Sequence, residues 1–455
     1  MRLRGNTTLV VCFRGVIVGS VSHDSGISLQ FETRAVETMN VRQVKNLSSV
    51  SGILVLLLQM NIAVDAADQT TLREAYAKAF QMGVAINRTI ATGVAVPAQN
   101  VNRTPDEVQS DTALVKQHFN QLAPENDLKW GLIHPRPGPD GYEFGPADAF
   151  VEFGIKHNMY LIGHTLVWHS QTPNWVFAGT NPPPVEVSDT ANSNRRGFGN
   201  GFWRPYTGPR ASREELLERM REHIHAVVGR YKGKIKVWDV VNEAIADGGT
   251  NVLRNTLWLE IIGPDYIAKA FQFAHEADPN AILRYNDYGL ENSSKRRKLI
   301  TLIQSLREQG VPVHAIGSQA HVNVGITFEA MDQAIAEMAT LGLPIHITEL
   351  DVNSAVGGQR NLSAEVGENA AATQGGLISE AEKKQADAYA GIFRAFLKHK
   401  DNIEMVTFWG VNDAVSWRAA GRPLLFDGDN KPKPAFDAVI RVATGEPVPT
   451  NLKVE

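Results

Sequence analysis

Short β-branched, apolar runs alternate with helix-patterned segments eight times along the chain. The strand runs are Met82–Ile86, Asn120–Ala123, Tyr160–Gly163, Val237–Val241, Ala281–Tyr285, His314–Gly317, Ile345–Thr348 and Met405–Trp409. Regular βα alternation implies parallel strands joined by right-handed crossovers. Eight such units predict a closed α/β TIM (β/α)8 barrel in a single domain. An open doubly wound sheet would show a Gly-rich fingerprint after its first strand, and Ile86-Asn87-Arg88-Thr89 is not one.

Local signals mark the helices between these strands. Thr104-Pro105-Asp106-Glu107, Ser212-Arg213-Glu214-Glu215 and Ser379-Glu380-Ala381-Glu382 are capping boxes. The helices are expected over 71–80, 105–119, 146–157, 213–229, 266–277, 298–309, 327–341, 379–400 and 436–442. The basic cluster Lys295-Arg296-Arg297-Lys298 is expected on a solvated helix face. Segments 178–211 and 354–377 are rich in Gly, Asn, Pro or Ala without periodicity and read as long loops. Following the third and seventh strands, they should rim the barrel's C-terminal face.

The first part of the chain reads differently. A short basic segment after Met39 leads to the apolar run Ile53–Leu58, and small residues follow up to Ala66. That pattern predicts a secretory signal over 39–66, interrupted by Gln59 and Asn61 and too short to span a membrane. Residues 1–38 then read as an upstream extension from a misplaced start, leaving 67–455 as the catalytic domain. Cys12 is the one cysteine, which excludes an intrachain disulfide and a CxxC metal site. With a net charge of -4 and scattered Lys and Arg, the chain lacks the signature of a nucleic-acid binder.

In a TIM barrel the residues just after each strand converge on one pocket. Here they are Glu125, Asn126 and Lys129; His164, Trp168 and Gln171; Asn242 and Glu243; Asn286 and Tyr288; Gln319 and His321; Glu349 and Asp351; Trp409 and Trp417. Carboxylates from different strands, amide side chains and tryptophans suit a sugar polymer. Hydrolysis of its acetal needs one carboxyl to protonate the leaving oxygen and another to attack or to activate water. His164, His169, His321 and His346 with Asp351 match no common zinc spacing, so no metal and no cofactor is expected. His346, in mid-strand, is expected to be a satisfied core histidine, and Trp175, Trp238 and Trp258 to pack; Trp203 is open to either role.

These motifs resemble glycoside hydrolase family 10, the xylanases. Trp238-Asp239-Val240-Val241-Asn242-Glu243 is similar to that family's acid/base motif, and Ile347-Thr348-Glu349-Leu350-Asp351 to its nucleophile motif. Gly163–His169, Glu125–Trp130, Gly317–His321 and Phe408-Trp409-Gly410 match in the same order, over roughly residues 72–443. The resemblance implies a retaining endo-1,4-β-xylanase acting through a covalent glycosyl-enzyme. Glu243 would be the acid/base and Glu349 the nucleophile, roughly 5–5.5 Å apart. His321 would bond Glu349 and be held by Asp351, and Asn242 would bind the sugar 2-hydroxyl. Glu125, Asn126, Lys129, His164, Trp168, Gln171 and Trp409 would line the glycone side, with Gln319 beside the reacting sugar. Trp417 would close over the site, and Asn286 and Tyr288 would face the aglycone. The partner is xylan or a xylo-oligosaccharide, with a secreted (extracellular or periplasmic) monomer as the expected form. A retaining β-1,4-glucanase on a related barrel and a non-catalytic xylan-binding protein are the alternatives.

Overall fold

The computed structural model describes residues 70–95, 103–179, 206–354 and 380–448, together with the backbone of 9–13 and 16–21. The chain divides into two compact units, Met1–Gln69 and Thr70–Glu455. In the first, Leu9–Phe13 and Val16–Val21 pair as an antiparallel hairpin. The expected signal segment lies outside the described residues, as do most of both long loops, Trp203 and Ser379. Among the described residues no helix is long and apolar enough to cross a membrane.

The second unit is an eight-stranded parallel barrel. Its strands are β1 (Gln81–Ile86), β2 (Gln121–Pro124), β3 (Tyr160–Trp168) and β4 (Val237–Asn242). They continue as β5 (Ile282–Asp287), β6 (Ala315–Ser318), β7 (Ile345–Asn353) and β8 (Ile403–Phe408). Each pairs in parallel with the next, and β8 closes the ring on β1. The long helices that follow the strands are α1 (Pro105–His118), α2 (Gly145–Lys156), α3 (Arg213–Arg230) and α4 (Tyr266–Ala277). The others are α5 (Ser293–Glu308), α6 (Phe328–Ala339), α7 (Glu380–Lys398) and α8 (Pro434–Thr444).

Local chemistry starts the helices where it should. Glu107 N–H donates to the Thr104 hydroxyl, and the Glu107 carboxylate returns to Thr104 N–H at 2.7 Å. Ser212 and Glu215 repeat the arrangement for α3. Each reciprocal pair satisfies two amides that a helix start would otherwise leave without partners. The first expected helix departs from the pattern: only Leu72–Ala75 is helical, and Tyr76 leaves it to donate its hydroxyl to the Val439 carbonyl at 2.7 Å.

Alternation along the strands separates two interiors. Outward residues such as Trp238, Val240 and Leu283 join the large apolar core beneath the helices. Ala85, Ala123, Ile162, Val237, Met405 and Trp409 form a separate small cluster inside the ring. Beside it lies a buried polar chain. Asp239 takes Arg284 Nε at 2.7 Å and His164 Nδ1 at 3.0 Å, and Arg284 reaches His346 at 3.1 Å. His346 ends the chain on Glu404 at 2.9 Å, so it is a satisfied core histidine. Burial opposes a charge on Asp239, but the Arg284 guanidinium and the His164 bond prevail and hold its carboxyl down at about 2.

Candidate active site

Two strand ends carry the candidate catalytic carboxylates. On β7, Glu349 and Asp351 are two residues apart and so lie on one face. The chain leaving β6 turns at Ala320 (φ 57°), and the short strand His321–Asn323 pairs beside the end of β7, with His321 opposite Asp351. That pairing puts the imidazole between the two carboxylates. His321 Nε2 is 3.2 Å from Glu349 Oε2 and its Nδ1 is 2.8 Å from Asp351 Oδ2.

All three groups are buried. Burial disfavours a charged imidazole, yet the charge of Asp351 and the bonds to both carboxylates lift His321 to about 9. It is therefore an imidazolium near neutrality and donates from both nitrogens. Burial alone would raise Glu349, but the His321 bond and the nearby imidazoles hold it below the ordinary carboxylate range. Asp351 is likewise held down, by Arg418, His321 and Trp417 against its burial. Trp417 Nε1 donates to Asp351 Oδ2 at 3.0 Å, and Arg418 Nη1 to Oδ1 at 2.8 Å.

Glu243 follows β4 with φ 59°, a left-handed conformation that is uncommon for a residue with a side chain. Bonds hold it there from both sides. Its N–H donates to the Asn286 carbonyl at 2.9 Å, and its carbonyl accepts from Arg254 Nε at 3.1 Å. The next two amides donate to Tyr285 Oη and Asp287 Oδ2. The Glu243 carboxyl takes two neutral donors: Trp168 Nε1 at 2.9 Å and Gln319 Nε2 at 3.0 Å.

Amide side chains link the two carboxylates. Asn286 Nδ2 donates to Glu349 Oε1 at 2.8 Å and to Asn242 Oδ1 at 2.9 Å. Gln319 Nε2 also reaches Asn242 Oδ1, at 3.2 Å. With Oδ1 occupied by two donors, the Asn242 Nδ2 group is the one left to address a ligand. The Thr348 hydroxyl fixes Asn286 Oδ1 at 2.7 Å. The aglycone contact expected of Asn286 is not available to its side chain: it is fully buried, with its amide committed to Glu349, Asn242 and Thr348.

Lys129, Trp168 and Trp409 meet on one side. The Lys129 ammonium lies 5.1 Å from the Trp168 ring and 5.9 Å from the Trp409 ring, and donates to Asn126 Oδ1 at 3.0 Å. Burial lowers the Lys129 pKa, opposed by Glu349, Glu125 and Glu243. Glu125 is pushed up to about 7, mainly by burial, with Lys129 opposing. His164 packs edge-on to Trp409, and Trp417 packs edge-on to His321 at 5.0 Å. Gln171, half-buried at φ 49°, lies just beyond β3.

On the opposite side, Tyr288 donates its hydroxyl to Asp247 at 2.6 Å, and Lys295 lies 3.3 Å from its ring centre. Lys295 is ion-paired to Asp247 and Asp287, and Arg296 to Glu337. Both cations are buried, so the expected solvated face is wrong for Lys295 and Arg296. Helix α5 starts at Ser293, capped by Asn292, rather than at 298. Sequence reasoning also passed over Arg254, Asp247, Asp239, Arg284 and Arg418. The available signal was a charged residue inside or beside each strand-end motif.

Among the described residues, no group of three or more His, Cys, Asp or Glu side chains could hold a metal ion. What the arrangement can do is proton and nucleophile chemistry with two unlike carboxyls.

Comparison with known proteins agrees with this geometry. The sequence profile of glycosyl hydrolase family 10 matches residues 71–442. A β-1,4-xylanase of Dictyoglomus thermophilum is 39% identical over 72% of this chain and 83% of its own length. An endo-1,4-β-xylanase of Geobacillus stearothermophilus is 37% identical over 82% of this chain and 98% of its own. Among solved structures, a mutant of an intracellular xylanase of Thermoanaerobacterium saccharolyticum in complex with xylotetraose is 35% identical, with a TM-score of 0.64. That match covers 82% of this chain and 98% of the other.

Proposed function

Since the chain belongs to glycosyl hydrolase family 10, we propose that it is an endo-1,4-β-xylanase that cleaves internal xylosidic bonds of xylan with retention of anomeric configuration. The observation that carries this reading is the pair of carboxyls at the ends of β4 and β7, one among neutral donors and one locked to an imidazolium. Xylan as substrate rests on the xylanase relatives and on the xylotetraose bound to one of them.

The chemistry follows from these environments. The ionised Glu349 attacks the anomeric carbon while Glu243 gives its proton to the departing glycosidic oxygen. The carbon–oxygen bond to the leaving chain breaks as the ester bond to Glu349 forms. Glu243, now a carboxylate, takes a proton from water, which attacks the same carbon and releases Glu349. Two inversions leave the configuration retained. Asn242 Nδ2 donates to the sugar 2-hydroxyl, a bond that strengthens as charge develops at the ring. His321 and Asn286 keep Glu349 oriented, and Asp351 keeps His321 in place. Lys129, Glu125, Asn126, His164 and Gln171 bind sugar hydroxyls on the glycone side, and Trp168, Trp409 and Trp417 bound the reacting sugar. Tyr288 lies on the aglycone side.

Early-time proton NMR of xylan or xylohexaose hydrolysis tests the reading. Initial release of β-anomeric xylo-oligosaccharides supports it; initial α-anomer refutes retention. Faster hydrolysis of carboxymethyl cellulose than of xylan would refute the xylose assignment in favour of a β-1,4-glucanase. The proposal extends to a monomer exported by the 39–66 segment. N-terminal sequencing of the protein from culture medium or periplasm should begin near residue 67; a start upstream of 39 would refute it.

A further inference from the structure

We propose that Arg418 is a positioning residue for the nucleophile, completing a row of alternating charges that runs Glu349, His321, Asp351, Arg418. The proposal rests on the assignment of Glu349 as nucleophile. Successive members of the row are 3.2, 2.8 and 2.8 Å apart. Two carboxylates and two cations then balance within a water-poor region. Taking out this cation leaves Asp351 with His321 as its charged partner in the row, an arrangement that favours uptake of a proton by the two buried carboxylates.

Arg418 also reaches Trp417. Its guanidinium lies 4.4 Å from the Trp417 ring centre, and both side chains donate to Asp351, on different oxygens. The tryptophan expected to cover the reacting sugar and the cation that anchors the row are thus adjacent residues sharing one acceptor. Other groups face the row as well, with Lys129, His164 and Asp239 acting electrostatically on Glu349. Glu349 comes from β7 itself, Tyr389 approaches from α7 with its hydroxyl committed to the Pro423 carbonyl, and Glu291, from the loop after β5, faces His321. Burial holds Glu291 towards its neutral form. Arg418 is therefore, with His321, a cation that balances Asp351.

The test is the pH profile of kcat/KM on an aryl β-xylobioside, whose acid limb reports ionisation of the nucleophile in the free enzyme. Arg418→Gln should move that limb up by about half a pH unit, less than the loss of a contacting charge would, because Arg418 touches Asp351 and acts on Glu349 through His321. Arg418→Lys should restore most of it, and Trp417→Phe, which removes only a neutral donor, should move it less. Arg418→Met keeps the stem and serves if the Gln variant does not fold. In an Asp351→Asn background, Arg418→Gln should add no further shift. A limb that stays put while kcat/KM falls equally at every pH would overturn the proposal, as would a Lys variant shifted as far as the Gln variant. Trapping with an activated 2-deoxy-2-fluoro-xylobioside separates the two readings. A label on Glu349 with an unmoved limb refutes only Arg418; a label elsewhere refutes the assignment of the nucleophile.

Discussion

The ends of β4 and β7 each deliver a glutamate to the same pocket, and their surroundings differ in kind. Glu349 meets an imidazolium that is itself locked by Asp351 and Arg418. Glu243 meets an indole N–H and a carboxamide, neither of which carries charge. A side chain with cationic partners is biased towards its charged form. The proposed roles follow this contrast, with Glu349 among ionic partners as the nucleophile and Glu243 among neutral donors as the acid/base.

Breaking the ionic side should cost the most. His321→Ala leaves Glu349 and Asp351 buried without their shared cation, and the fold should lose about 3–5 kcal/mol, measured by chemical denaturation. The variant's activity should fall at every pH. A loss under 1 kcal/mol would show that the row does not hold the end of β7. On the neutral side, Gln319→Ala removes one uncharged donor from Glu243 and should lower stability by about 1–3 kcal/mol. A Gln319→Ala loss larger than that of His321→Ala would reverse the comparison.

The pH dependence sharpens the same contrast more gently. His321 is raised to about 9 in the folded protein. Its contribution is fully present below the unfolded histidine value of about 6.5 and is lost as pH rises through the folded value. Melting temperature should therefore decline from about pH 6.5 to 9, and a His321→Asn variant should decline less over that window. An identical decline in both proteins would remove His321 as its source.

How much of this was legible in the sequence depended on whether the deciding forces were local. The capping boxes at Thr104 and Ser212, the strand runs and the helix Tyr266–Ala277 were readable because period and caps act within a few residues. Strand β7 was expected to stop at Thr348 because Glu349 and Asp351 break its apolar run. It continues to Asn353 because the short strand at His321 supplies a backbone partner and His321 itself a counterion. The same kind of long-range pairing misled the reading of Lys295 and Arg296. A run of four basic residues looks solvated until Asp247, Asp287 and Glu337 arrive from elsewhere in the chain. Asn286 was placed at the right strand end, yet only the folded barrel turns its amide inward onto Glu349.

The most direct test of the division between the two glutamates compares kcat/KM of Glu243→Ala and Glu349→Ala on xylan and on an aryl xylobioside with a good leaving group. Loss of a general acid should cost about 10²- to 10⁴-fold on xylan and far less where departure needs no proton. Glu349→Ala should be inactive on both substrates. Equal losses on the two substrates for both variants, or preserved aryl xylobioside cleavage in Glu349→Ala, would contradict the assignment.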